Sequence, residues 1–217
     1  MNSRDVVLKR IRDAVAANNV SLELPPVPEV WPNTGQTTDQ LLERFTTELE
    51  AVTGEIVRCR SMDEARQKLT EIADTDGWQT IASVERPLCH ELLDGLPADR
   101  VAWAKDGWDP KEMGELPAGT VAAEQLIADT GTCLVANHTG EERLMCFLPP
   151  VCVVIAKVDQ LVEHLPAAWT AISHGTAEPD RRGEFLLITG PSRTADIEKI
   201  LILGVHGPKR LIVLLVD

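Results

Sequence analysis

Tyrosine is missing from this chain, and phenylalanine occurs only three times. The first absence rules out tyrosine acid/base chemistry and a tyrosine-lined sugar site. Basic residues are also scarce: 21 Lys and Arg stand against 34 Asp and Glu, for a net charge of -13. Nucleic-acid binding rests on neutralising phosphates with cations, so this balance argues against it. It argues equally against adsorption to an anionic membrane surface. Long apolar runs are lacking too. The longest, Leu144–Ala156, is broken by Pro149-Pro150 and flanked by Arg143 and Lys157, short of the ~18–20 residues that a spanning helix requires. The opening Met-Asn-Ser-Arg-Asp-Val carries no apolar core of a secretory signal.

Cysteine is present but unpaired in pattern. The five residues Cys59, Cys89, Cys133, Cys146 and Cys152 include no Cys-x-x-Cys. An odd number in mostly apolar contexts reads as buried free thiols in a reducing cytoplasm. An iron–sulfur cluster takes about four clustered thiolates, and nothing here resembles that set. His138, His164 and His174 lack metal-ligand spacing, so no metal is expected. The dinucleotide fingerprint Gly-x-Gly-x-x-Gly, the Walker A loop and the Gly-x-Ser-x-Gly elbow are all absent.

What is present is ordinary for a globular chain: 217 residues, 44% hydrophobic and 25% charged. At roughly 150 residues per domain this is one large domain or two small ones. A domain of this size buries about 70–75% of its unfolded surface, so no disulfide or metal is needed to fold it.

The first segment reads as an amphipathic helix, with Val7, Ile11, Ala14 and Val15 on one face. The prolines of Leu24-Pro25-Pro26-Val27-Pro28 and Trp31-Pro32 then forbid helix and predict an extended connector. Residues 1–35 are therefore read as a helix and linker, and residues 36–217 as the main domain. The helix is either an arm that docks elsewhere, on a partner subunit for example, or a packed first helix.

Thr37 and Gln40 have capping-box spacing, opening a helix with Leu41, Phe45, Leu49 and Val52 inward and Gly54 as its stop. Glu55–Cys59 reads as a strand, Ser61 to Glu64 as a second capping box, and Ala65, Leu69 and Ile72 as the buried face of the next helix. A strand at Gln79–Ser83 and a short helix through His90–Leu93 follow, then a loop-rich stretch over Arg100–Gly119. Gln125–Asp129 and Thr132–Ala136 form a hairpin across Thr130-Gly131. Val151–Ala156 and Leu211–Val216 are apolar throughout and read as buried central strands. Between them, Val158, Leu161, Val162 and Leu165 form a helical face, Pro166 opens a helix with Trp169 and Ile172, Glu184–Thr189 is a strand, and Thr194–Leu203 is a helix. Strands alternating with helices predict an α/β fold, with helices packed on a mainly parallel central sheet.

Three segments carry candidate chemistry. Gly190-Pro191-Ser192-Arg193-Thr194 reads as a strand-to-helix turn, with Ser192 or Thr194 as cap and Asp196 in the first helical turn. Such a turn aims backbone N–H groups at the carboxyl edge of a sheet, where open α/β sheets bind ligands, and Arg193 would grip a carboxylate or phosphate. Helix capping and a surface ion pair account for the same residues without a ligand. Asp129-Thr130-Gly131-Thr132 reads as a ligand loop or as a plain hairpin turn. His206-Gly207-Pro208-Lys209 is a third loop, before the last strand. A Ser192, Asp196 and His206 triad is disfavoured, because capping explains the first two. Cys133, on a strand beside Leu134, fills an apolar position rather than acting as a nucleophile.

Ala128-Asp129-Thr130-Gly131-Thr132, the Leu148-Pro149-Pro150 turn, the nine residues Gly190–Glu198 and Leu203–Lys209 together resemble the lactate utilization protein C family of the LUD domain. The resemblance implies a three-layer α/β/α sheet of the kind shared by glucosamine-phosphate deaminase, ribose-phosphate isomerase and CoA transferases. It implies a bacterial cytoplasmic subunit of a system oxidising L-lactate to pyruvate. The iron–sulfur clusters would sit in partner proteins and no cofactor on this chain. It assigns no catalytic residue. Asp129, Thr130, Gly131, Thr132, Gly190, Pro191, Ser192, Arg193, Thr194, Asp196, His206, Gly207 and Lys209 are carried forward as the ligand-binding set for a small anionic metabolite. The alternative is a stand-alone enzyme, like a CoA transferase or sugar-phosphate isomerase, with Glu141 or Glu142 nearest to a nucleophile. Self-association is left open.

Overall fold

A computed structural model of the chain describes residues 3–17, 31, 34–177, 184–194 and 200–217. The chain divides into two units, Met1–Pro32 and Asn33–Asp217. The first holds helix α1 (Ser3–Ala17), which buries no residue. Its apolar stripe of Val7, Ile11 and Val15 is exposed. The prolines of Leu24–Pro28 lie outside the described residues.

The second unit opens with α2 (Thr38–Ala51). The predicted capping box is in place: the Thr37 hydroxyl accepts from the Gln40 N–H, and the Gln40 side-chain Oε1 accepts from the Thr37 N–H at 2.9 Å. Leu42, Phe45 and Leu49 turn inward. Next come β1 (Glu55–Cys59), α3 (Met62–Thr75) and β2 (Ile81–Ser83). The Ser61 hydroxyl accepts from the Glu64 N–H at the start of α3. Pro87 occupies the first turn of α4 (Pro87–Leu93), where its missing N–H costs nothing. The stretch expected to be loop-rich contains β3 (Val101–Trp103) and α5 (Pro110–Glu115) before β4 (Ala118–Ala122).

β1, β2, β3 and β4 join β7 (Val151–Lys157) and β12 (Arg210–Val216) in one sheet of order β1-β12-β7-β4-β2-β3, every pairing parallel. The two apolar runs are its central strands, and Cys152–Ala156 and Leu211–Leu215 are at most 1% exposed. Helices α2 and α3 contact β1, and α4 contacts β4 and β7. A mainly parallel sheet flanked by helices is the α/β class that the alternating pattern predicts.

A second sheet was not legible in the sequence. β5 (Gln125–Ile127) and β6 (Thr132–Asn137) form the expected hairpin, but β8 (Leu161–Val162) and β9 (Glu184–Ile188) add to it in the order β8-β5-β6-β9. Alternation along β6 serves two cores. Cys133 and Val135 pack into the main one. Leu134, with Ile127, packs against Ala168 of α7 (Leu165–Ala177). Helix α6 (Gly140–Met145) contacts both β4 and β6.

Two predicted helices are corrected. The Val158 to Leu165 face is a 3-10 turn, Val158–Gln160, followed by β8. Gln160 pins that turn, accepting from the Lys157 N–H and donating to the Ala123 carbonyl, both at 2.6 Å. The ends of the Thr194–Leu203 helix are instead two short antiparallel strands, β10 (Arg193–Thr194) and β11 (Ile202–Leu203). Residues 195–199 between them, Asp196 included, lie outside the described residues.

Candidate functional site

The turn after β9 is built around Gly190, whose φ of +113° lies where side chains other than glycine are strained. A Cβ there would also approach Val52 Cγ2 to 3.0 Å. The chain then runs to Ser192, whose N–H donates to the Pro208 carbonyl at 2.8 Å, while its own carbonyl accepts from Gly204 at 2.9 Å. The Lys209 N–H donates to the Pro150 carbonyl at 2.8 Å. These bonds lace the 189–192 and 204–209 segments together over the start of β7. A cavity of about 240 Å³ lies beneath them. Its lining combines Thr189, Gly190, Ser192, His206, Gly207 and Pro208 with the more apolar Cys146, Phe147, Cys152, Leu187, Ile188 and Leu211.

Its place in the fold differs from the expectation. Cys152 and Leu211 stand near the amino ends of β7 and β12, so the cavity is at the amino edge of the parallel sheet, not its carboxyl edge. The reason is that β9 pairs with β6 in the smaller sheet. The turn also does not open a helix at Arg193–Thr194, which is strand.

The three predicted segments are partly reunited. Gly190, Ser192, His206 and Gly207 line the cavity, and Pro191 is buried beside it. Thr132 reaches it indirectly: its hydroxyl lies 2.7 Å from that of Thr189 and 2.8 Å from that of Thr130. Gly131 faces elsewhere. With φ of +60°, it seats the hairpin turn on α2, where a Cβ would come within 2.4 Å of the Leu49 nitrogen. Arg193 donates to the Thr53 hydroxyl at 3.3 Å and is not among the lining residues. Asp129 bonds through its N–H to the Glu163 carbonyl at 3.1 Å, Thr194 pairs with Ile202, and Lys209 is exposed; these three also lie outside the lining.

Residues 42–216 match the LUD domain. The chain belongs to the LUD-domain family. It is 25% identical to an uncharacterised protein of Neisseria meningitidis serogroup B, over 99% of this chain and 93% of that one. It is 31% identical to lactate utilization protein C of Shouchella clausii, over 69% and 67%. A 34% match to the protein of that name from Bacillus pumilus spans 45% of this chain and 41% of the other. A solved DUF162-family structure from Deinococcus radiodurans superposes with a TM-score of 0.61 at 17% identity, covering 84% of this chain and 99% of that one, a likeness of fold.

The floor of the LUD-domain cavity is chemically quiet. Burial pushes the Cys152 thiol up to about 12, with the nearby Cys133 adding to the rise. Burial likewise raises Cys146 well above its ordinary value, with Cys152 adding to it. Thiols held protonated in this way are poor nucleophiles. Cys133, raised by burial to about 12, behaves as the strand filler the sequence suggests. Among the described residues no group of three or more His, Cys, Asp or Glu is arranged to hold a metal ion, and no helix is long and apolar enough to cross a membrane.

Sequence reasoning missed Thr189, and it missed a buried ion pair. Arg86, just beyond β2, forks onto both carboxylate oxygens of Glu142 at 3.0 and 2.6 Å, their side chains 18% and 10% exposed. The spacing of Thr139 and Glu142 was a readable capping signal, and the Thr139 hydroxyl does accept from the Glu142 N–H at 3.2 Å. Nothing near Arg86 marked it as the partner, 56 residues away.

Proposed function

We propose that this LUD-domain protein serves in lactate utilization and binds a small carboxylate in the cavity under Gly190–Ser192 and His206–Pro208. One observation carries the reading: segments 14 residues apart, Ser192 to His206, are laced together so that a serine and a histidine line one cavity. Relatives named lactate utilization protein C support the role. At about 240 Å³ the cavity is below the roughly 300–1,000 Å³ of drug-sized sites, a size suited to a small acid.

A net charge of -13 repels such an anion at long range, so recognition is local. The Ser192 and Thr189 hydroxyls and the His206 ring supply the hydrogen bonds, and the apolar residues of the lining pack against the rest of the acid. In this reading the protein is a non-redox subunit of the cytoplasm. Iron–sulfur partner proteins, in the same reading, take the electrons from L-lactate.

Isothermal titration with L-lactate and with pyruvate tests the site. Saturable binding of at least one is expected, weakened about tenfold by Ser192→Ala or His206→Ala, the loss of one hydrogen bond to a charged group. No heat from either acid would overturn the binding reading. Unchanged growth on lactate after deletion, in a strain with no other lactate dehydrogenase, would overturn the role.

A further inference from the structure

A second cavity lies at the other end of α6. β2 and β4 are neighbours in the sheet, yet from β2 the chain moves outward to β3, and from β4 it returns through β5, β6 and α6 to β7. Open α/β sheets bind ligands outside the carboxyl ends of their strands at such a divergence. Here the segment after β6 is tied to that edge. Arg86, beyond β2, holds Glu142, and the same carboxylate accepts from the His138 N–H at 2.6 Å. The Gly107 N–H, beyond β3, donates to Glu141 at 3.0 Å. The cavity, about 160 Å³, is lined by Asn137, His138, Thr139, Gly140, Arg143 and Glu184.

Two features mark it as a site for a ligand oxygen. Asn137 is 2% exposed. Its Oδ1 accepts from the Cys146 thiol at 3.7 Å, which orients the amide, and its Nδ2 has no hydrogen-bond partner among the described residues. A buried donor without an acceptor is costly and rare in native proteins. At the rim, Arg143 already holds a carboxylate, that of Glu184, at 2.8 Å. With side chains 44% and 55% exposed, this pair is weak and exchangeable.

We propose that the cavity is a second binding site, which takes the carboxylate of a small organic acid between the Asn137 amide and the Arg143 guanidinium, displacing Glu184. Two ion pairs flank it, Arg86 with Glu142 and Arg143 with Glu184, and Glu141 adds a further negative charge held by the Gly107 N–H. Release of Glu184 is therefore part of binding, and substitutions at the two rim residues act in opposite directions.

Titrations of the full chain with acetate and, separately, with inorganic phosphate test this, followed through the Asn137 side-chain amide signals in 15N–1H spectra. Acetate is expected to move them saturably. Arg143→Gln should weaken the apparent affinity roughly tenfold, as for a lost charge-assisted hydrogen bond, and Glu184→Gln should tighten it about threefold by removing the competing carboxylate. Both side chains are half-exposed, and unshifted signals elsewhere verify the fold. Ser192→Ala should leave this response unchanged, which separates the site from the cavity under Gly190. Three outcomes would each overturn the proposal: signals unmoved by acetate, saturation by phosphate in place of acetate, or an equal response in wild type and both rim variants.

Discussion

The hydroxyl of Thr132 lies 2.7 Å from that of Thr189, joining the β5–β6 hairpin to the lip of the cavity across 57 residues of chain. Thr132 is 4% exposed and holds Thr130 as well, at 2.8 Å. Replacing it with valine keeps the shape and removes both bonds. Thr132→Val is expected to cost about 1–2 kcal/mol in urea unfolding, at a net 0.5–1.5 kcal/mol per hydrogen bond. Thr189→Val should cost less. The double variant should cost less than the sum of the two, because they share one interaction; strict additivity would show that the pair is not coupled.

The two glycines of the candidate loops should differ in what they tolerate. At Gly131 a Cβ meets the backbone of α2, 2.4 Å from the Leu49 nitrogen, on top of a positive φ. Backbone strain of about 1–3 kcal/mol and overpacking of similar size put Gly131→Ala at about 2–6 kcal/mol. At Gly190 the nearest atoms are the Val52 Cγ2 methyl at 3.0 Å and the Val52 carbonyl oxygen at 3.1 Å, a looser approach than that at Gly131, so backbone strain is the larger part of its cost. Thermal unfolding of the two variants should rank Gly131→Ala as the worse. The reverse order would contradict the seat of the hairpin on α2.

The Arg86 and Glu142 pair should behave as a buried ion pair. Arg86→Ala leaves Glu142, 7% exposed, without its countercharge, at an expected 3–5 kcal/mol. Arg86→Met combined with Glu142→Leu should be less costly than Arg86→Ala, because no charge is then stranded. Guanidinium melts of the three proteins decide this.

Acid should unfold the domain in part through Glu163 and Glu141. The Thr34 hydroxyl and N–H hold the Glu163 carboxyl below the usual carboxylate value near 4.5, with His164 and Arg44 helping. The Gly107 N–H does the same for Glu141. A carboxyl whose folded-state pKa is lowered contributes stability that is present above the unfolded value and lost as pH falls through the folded one. Melting temperatures are therefore expected to hold from pH 7 to about 5 and to fall below the ordinary carboxylate range. Thr34→Ala should shrink that acid-side loss. An unchanged pH slope in Thr34→Ala would mean that Thr34 is not its source.

The sequence by itself determined the local features. Thr37 with Gln40 and Ser61 with Glu64 mark helix starts, because a short polar side chain satisfies an N–H that the helix leaves open. Continuous apolar runs mark β7 and β12 as strands covered on both faces. The family-like segments around Gly190 and His206 were legible as motifs. Tertiary structure alone decided which partner each strand chose. Val158, Leu161, Val162 and Leu165 satisfy helical spacing, yet Leu161–Val162 is strand, because β5 offers an open edge and Gln160 locks the preceding turn. Glu184–Ile188 is a strand as expected, but it pairs with β6 across about 50 residues of chain. Periodicity carries no information about so distant a partner. That one choice moved the Gly190 turn to the amino edge of the parallel sheet, set Arg193 against Thr53 just past α2, and left Ser192, His206 and Thr189 to line the cavity.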